Sequence, residues 1–198
     1  LIIAEEFLAG SSSCLILGDN IFHGHGFSNL MQKSTELQNG ALIFGYRVKI
    51  PHAYGVVEFD EKGNVISLEE KPKKPKSKYV VPGIYFFDQK APLLAASLKP
   101  STRGELEVTD LNQIYLENKS LQVKLLGRGY AWLDTGTHEN LLKASSFIQT
   151  IIERQGTQIG CLEEIAFAKG FIDKKTIKKA CAMYKQNTYG RYLQQLIS

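Results

Sequence analysis

An α/β domain followed by a small helical appendage is the fold this sequence predicts. Three observations carry it. Short apolar runs alternate with helical periods up to about residue 155. Polar residues follow several of those runs directly, as in sheets that bind ligands beyond their strand ends. After Gly156 and Gly160 only helical patterns remain. The expected division is therefore an α/β part over 1–155 and a helical appendage over 156–198.

In chain order, Leu1 to Leu8 reads as the last turns of an amphipathic helix ended by Gly10. Cys14 to Leu17 is a continuous apolar run, as expected of a buried parallel strand. Gly18-Asp19-Asn20 is a loop. Phe27 to Leu37 reads as a helix, with Ser28 as its early cap and Gly40 beyond its end. Ala41 to Val48 is a second buried strand. Val56 to Asp60 and Val65 to Glu69 flank Glu61-Lys-Gly-Asn64, a hairpin signal. This hairpin is expected to form a small antiparallel subdomain. Tyr79 to Phe87 is a strand interrupted by Pro82-Gly83. Asp88 to Leu98 is helical with a late start at Pro92. A helix over Glu107 to Asn118, a strand over Leu121 to Leu126 and a strand over Tyr130 to Leu133 follow. Thr137 to Arg154 is a long amphipathic helix. Leu162 to Lys169, Lys174 to Tyr184 and Tyr189 to Ile197 complete the tail.

Composition removes several classes. The 198 residues carry 24 basic and 20 acidic side chains, a net charge of +4. The one dense basic run, Lys71 to Lys78, is broken by Pro72 and Pro75 and has no aromatic platform, so nucleic acid is not the expected partner. No run of about 18 uncharged apolar residues exists, so no membrane span is expected. Leu1 to Gly10 carries Glu5 and Glu6 and does not read as a secretory signal. Cys14, Cys161 and Cys181 are too scattered for a disulfide framework. They read as reduced packing thiols of a cytoplasmic protein. A helix tail at Leu1, with no initiating methionine, leads us to expect a sequence that starts mid-domain.

The residues after strands are the ones that can carry chemistry. Asp19 can hold a hard cation and Asn20 can bind a ligand hydroxyl; a capping turn is the bland alternative. Asp134 is a second strand-end carboxylate. Two carboxylates suffice for Mg²⁺, which completes its shell with phosphate oxygens and water; a helix cap is the alternative, although Thr137 serves better. Glu70 and Lys71 offer a carboxylate for a hydroxyl and an ammonium for a phosphate, or else a solvated strand end. Arg103 suits bidentate phosphate contacts, or a plain surface pairing with Glu105 or Glu107. His23 and His25 make a weak zinc signal and read as loop histidines. No serine or cysteine lies in a nucleophile elbow.

Six segments occur together and in order: Leu17-Gly-Asp-Asn20, Tyr54-Gly-Val-Val57, Leu68-Glu-Glu-Lys-Pro72, Gly83-Ile-Tyr-Phe-Phe-Asp88, Arg103-Gly-Glu-Leu-Glu107 and Trp132-Leu-Asp-Thr-Gly-Thr-His138. Each is weak alone. In register they resemble the sugar-1-phosphate nucleotidylyltransferase family over essentially the whole chain. The resemblance implies a three-layer nucleotide-diphospho-sugar transferase-like sandwich with a mixed central sheet, incomplete at its N-terminus. It implies dTTP and glucose 1-phosphate as substrates, a reading that the tail segment Cys161-Leu-Glu-Glu-Ile-Ala-Phe167 favours, and a homotetramer. Asp19 and Asp134 match the family's Mg²⁺ ligands. Asn20, Tyr54, Gly55 and Glu70 match sugar-contacting positions, with Val81 and Tyr85 lining the sugar pocket. Lys71 and Arg103 match positions that hold the sugar phosphate. Gly24, His25, Arg128, Glu164 and Ile165 map to the family's feedback site. Ala168 stands where relatives tend to carry arginine, which leads us to expect weak feedback inhibition.

The family's glycine-rich triphosphate loop, its catalytic arginine and lysine and its base-reading residues are not among these 198 residues. They are expected on roughly ninety preceding residues. The 198-residue chain alone is therefore expected to be inactive, with no catalytic residue of its own. Pro82 and His23 are smaller departures, standing where relatives usually have threonine and an aromatic. A UTP-using relative and a non-catalytic binding module stay open as alternatives.

Overall fold

The computed structural model describes residues 1–185 and 187–198. Among them the chain divides into two compact units, Leu1–Gly136 and Thr137–Ser198. By contacts, the long helix that follows Thr137 therefore groups with the helical tail.

The first unit holds α1 (Glu5–Leu8), β1 (Ser13–Ile16), β2 (Asn20–Gly24), α2 (Phe27–Ser34), β3 (Ala41–Arg47), β4 (Gly55–Phe59), β5 (Val65–Glu70), β6 (Tyr79–Val80), β7 (Ile84–Phe87), α3 (Ala91–Ala96), α4 (Val108–Glu117), β8 (Leu121–Leu126) and β9 (Tyr130–Asp134). Its main sheet runs β1-β7-β3-β6-β4-β5, with β8 also paired to β3. The β3–β8 pairing is parallel, whereas the others in this sheet are antiparallel. The sheet is mixed, as expected.

Alternation along β3 explains the layers. Ala41 and Ile43 pack with Tyr85, Phe87, Leu111 and Tyr115 in one core. Leu42 and Phe44 pack with Ile84, Phe86 and Leu126 in another, which Phe27, Leu30 and Met31 of α2 cover. A strand covered on both faces reads as a continuous apolar run, and β3 does. Asp88, almost fully buried, joins this layer to its helix by accepting from the Gly40 N–H at 2.7 Å and the Tyr115 hydroxyl at 2.8 Å. Gly40 has φ +87, and a Cβ there would stand 2.1 Å from the Ser120 carbonyl oxygen, so only glycine fits.

Three expectations need correction. The run from Cys14 does not form a buried parallel strand: β1 pairs antiparallel with β7, with a half-exposed alternation. It ends the strand order of the sheet, so one flank has no partner strand among the described residues. Cys14 is accordingly exposed, whereas Cys161 and Cys181 are buried. The Glu61 hairpin is antiparallel, but it extends the main sheet through β6 instead of standing apart. The N-cap of α2 is Gly26, with no side-chain cap from Ser28.

The second unit holds α5 (His138–Gln155), α6 (Leu162–Ala168), α7 (Lys174–Met183) and α8 (Thr188–Gln195). Thr137, Asp173 and Asn187 cap α5, α7 and α8 by accepting from Asn140, Thr176 and Gly190 N–H groups. Cys161, Ile177, Cys181, Tyr192 and Leu193 form its core. Tyr189 donates to Glu163, and Tyr192 donates to Glu164 at 2.6 Å. Among the apolar residues of this unit, Ile177 and Leu193 are buried while Ile165 and Phe171 are exposed. Among the described residues, no helix is long and apolar enough to cross a membrane.

Candidate active site

The site is built on a second sheet, where β2 pairs antiparallel with β9. Asn20 stands opposite Asp134 and Phe22 opposite Trp132. Strand β2 escapes a sequence reading because its residues look like a loop after Gly18. The pairing brings the two strand-end aspartates together. The Thr135 N–H donates to the Asp19 carbonyl at 2.8 Å, and its hydroxyl donates to the same oxygen at 2.9 Å. A Cβ built on Gly136 would lie 3.3 Å from Asp134 Oδ1 and 3.4 Å from Asp19 Oδ2. Both carboxylates thus converge on a point that a larger residue would crowd.

Around this pair the aromatic residues are fixed. The Trp132 indole N–H donates to Asn20 Oδ1 at 2.6 Å. Tyr54 meets the Trp132 ring edge-on at 5.0 Å. Burial, and then the Asp134 carboxylate that accepts from its hydroxyl, push the Tyr54 phenol above its ordinary value. Tyr54 therefore stays a hydrogen-bond donor across the neutral range.

The sugar-side residues gather where β4, β5 and α4 meet. A Cβ on Gly55 would stand 3.0 Å from Thr109 Oγ1 and 3.2 Å from Glu70 Oε2. Thr109 itself donates to Glu70 Oε2 at 2.5 Å. The Val81 N–H donates to the Gly55 carbonyl at 2.8 Å. Burial, with the nearby Glu70 charge, raises the Tyr85 phenol far above its ordinary value.

Two cations face these carboxylates. Arg103 makes bonds of 2.9 and 2.8 Å to the two oxygens of Glu107, and lies 3.4 Å from Glu105 and 3.8 Å from Glu70. Burial would raise the Glu107 carboxyl, but the Ser101 hydroxyl and the Arg103 guanidinium outweigh it and hold it low, with help from Lys71. Lys71 has φ +44, in the left-handed region, although it precedes Pro72. A non-glycine residue there carries about 1–3 kcal/mol of strain. Its N–H donates to the Tyr54 carbonyl at 3.1 Å, which ties the strained corner to the aromatic cluster.

The structure therefore brings Asp19, Asn20, Tyr54 and Asp134 into one contact network and Gly55, Glu70, Lys71, Val81, Tyr85 and Arg103 into an adjoining one. Trp132, Thr109 and Gly136 belong to these networks but were not singled out from sequence, whereas Glu107 was named there as a pairing partner of Arg103. Trp132 and Gly136 lay inside a quoted segment; Thr109 carries no sequence signal, because its role depends on a helix docking beside β5. Gly24 and Arg128 sit near one another, since Gly24 pairs with Tyr130 and a Cβ on it would meet the Gly129 carbonyl. His25 follows in the turn before α2. Glu164 and Ile165 lie on α6 in the second unit. Among the described residues no cluster of three or more His, Cys, Asp or Glu is placed to hold a metal. The two-carboxylate arrangement at Gly136 suits a cation that takes its other ligands from a phosphate and water.

The chain resembles known proteins along its whole length. A family model described as Nucleotidyl transferase matches residues 1–151. The chain is 53% identical over 195 residues to a glucose-1-phosphate thymidylyltransferase of Xanthomonas campestris pv. campestris, covering 98% of this chain and 66% of that protein. It is 52% identical over 196 residues to a protein of the same name from Neisseria gonorrhoeae, covering 99% of this chain and 68% of that protein. A crystal structure from Bacillus anthracis, described as a glucose-1-phosphate thymidylyltransferase in complex with a sucrose, matches with a TM-score of 0.64 at 37% identity, over 74% of this chain and 58% of that one. A UDP-glucose pyrophosphorylase complexed with UDP-glucose shares the fold, with a TM-score of 0.63 at 20% identity, over 75% of this chain and 60% of that one. The chain spans about two thirds of the length of these curated relatives. By the extent of these matches, the chain belongs to the nucleotidyl transferase family.

Proposed function

We propose that the protein carrying this chain transfers a thymidylyl group from dTTP to glucose 1-phosphate, giving dTDP-glucose and pyrophosphate. The observation that carries this reading is the convergence of Asp19 and Asp134 at Gly136 beside the Asn20–Tyr54–Trp132 cluster. The relatives' names supply the substrates. A sugar-phosphate oxygen forms a bond to the α-phosphorus of the nucleotide, and the bond from that phosphorus to the pyrophosphate oxygen breaks. The main task is to hold two anions together and in line.

The residues divide that task by their chemistry. Asp19 and Asp134 would hold Mg²⁺, which when bound offsets charge on the nucleotide phosphates. Asn20, Tyr54, Gly55 and Glu70 would orient the sugar, with Val81 and Tyr85 forming its apolar wall. Lys71 and Arg103 would hold the sugar phosphate, for which Arg103 must turn part of its guanidinium away from Glu107. The 198-residue chain alone would bind these groups without turnover, since none of its residues forms a glycine-rich triphosphate loop.

The same reading makes residues 1–155 the transferase part and 156–198 an appendage for regulation and assembly. Gly24, His25, Arg128, Glu164 and Ile165 would then serve feedback, in a cytoplasmic homotetramer. Exposed Leu141, Leu142 and Phe171 are compatible with assembly. Product analysis with dTTP and UTP in parallel tests the reading. Conversion with dTTP is expected; a preference for UTP would overturn the thymidylyl assignment and keep the family.

A further inference from the structure

The Asn20 amide has less freedom than a ligand-binding asparagine usually has. Its Oδ1 accepts twice, from the Trp132 indole N–H at 2.6 Å and from the Gly83 N–H at 3.0 Å. Both lone pairs of that oxygen are therefore used. Its Nδ2 donates to Asp19 Oδ1 at 2.8 Å. A flipped amide would set an NH₂ group against two N–H donors and a carbonyl against a carboxylate. One orientation alone satisfies all three contacts.

The donors that impose this orientation are themselves held. The Trp132 ring is flanked edge-on by Tyr54 at 5.0 Å and Tyr46 at 5.7 Å. Its backbone lies in the β2–β9 ladder opposite Phe22. Gly83 stands just before β7, and a Cβ there would come within 2.7 Å of the Leu17 side chain, so the chain passes close to the Asp19 turn. Asn20 thus links the main sheet, the indole and one of the paired carboxylates.

We propose that Trp132 is a positioning residue, which fixes the Asn20 amide so that its one uncommitted N–H is all that Asn20 offers a ligand. The proposal rests on the sugar-phosphate reading above and adds a polarity to it. The ligand atom facing Asn20 must be an acceptor oxygen, and a group that can only donate is rejected there. The same lock keeps the other N–H on Asp19, so sugar and cation sites are set by one hydrogen-bonded unit.

The test follows the Trp132 indole N–H in a ¹H–¹⁵N spectrum of the whole protein that carries this chain, its resonance assigned by its loss in Trp132→Phe. Hydrogen exchange at that resonance is expected to be slow in the parent and in Asn20→Asp, which keeps an acceptor oxygen, and fast in Asn20→Ala. Calorimetric affinity for glucose 1-phosphate is expected to fall about five- to tenfold in Trp132→Phe, as for loss of one hydrogen bond. It should fall at least as far in Asn20→Asp, which has no N–H to give. A parent that binds glucose 1-phosphate with a Trp132→Phe variant that binds it equally well overturns the positioning role and leaves the sugar-phosphate reading standing. Fast indole exchange in the parent overturns the lock itself. A slowly exchanging parent that does not bind glucose 1-phosphate overturns the sugar-phosphate reading and the ligand role with it. If Trp132→Phe does not fold, Asn20→Asp decides: binding retained with a protected indole overturns the proposal.

Discussion

The carboxylates of Asp19 and Asp134 both come within 3.4 Å of the point where a side chain on Gly136 would begin. Asp19 reaches it from the turn just before β2 and Asp134 from the end of β9, where Asn20 and Asp134 are paired. Adding a methyl group there must push one carboxylate aside by a few tenths of an ångström. Gly136→Ala is therefore expected to weaken divalent-cation binding about tenfold or more, while leaving the fold intact. Titration with Mn²⁺, followed by electron paramagnetic resonance, measures the affinity, and thermal unfolding checks the fold.

Lys71 holds a left-handed backbone at the end of β5. Glycine adopts that conformation without the Cβ penalty, at some cost in unfolded-state entropy. Lys71→Gly is expected to leave stability unchanged or raise it by about 1 kcal/mol. The same variant is expected to bind glucose 1-phosphate at least tenfold more weakly, since an ammonium is gone. Calorimetry and chemical unfolding on one preparation separate the two effects. A variant that is destabilised but binds normally would assign Lys71 to structure alone.

The fold was largely legible because its signals are local. The alternation that splits β3 between two cores, the Asp60–Asn64 turn and the Thr137 cap each follow from a few neighbouring residues. What sequence did not reveal depends on distant partners. β2 is a strand only because β9 lies beside it, and the apolar run of β1 does not state its direction. The site was legible as six segments in order, which fixed its members. Their connections were not: Thr109 reaches Glu70, and Trp132 reaches Asn20, only once helix and strand have docked. The sequence leaves Arg103 open between a phosphate and Glu105 or Glu107, and the bonds to both Glu107 oxygens follow only from the folded chain.

That Arg103–Glu107 pairing has a pH signature. The Ser101 hydroxyl and the Arg103 guanidinium, against the opposing effect of burial, hold the folded Glu107 carboxyl below its ordinary value of 4.5. Its contribution to stability is therefore complete above that ordinary value and is lost as pH falls through the lower folded value. Glu107→Gln is expected to lower stability near neutrality by about 1 kcal/mol, the pair being screened because Arg103 is partly exposed. The difference from the parent should shrink on acidification below the ordinary glutamate range. Urea unfolding across that range measures it, and a difference independent of pH would contradict the pairing.

Pyrophosphate release by the whole protein that carries this chain, from glucose 1-phosphate, dTTP and Mg²⁺, tests the account most directly. The parent should release pyrophosphate, and Asp134→Asn should reduce the rate at least a hundredfold while the protein stays folded. Release that persists undiminished in the variant, or that is absent from the parent, would contradict the assignment of this carboxylate pair to nucleotidyl transfer.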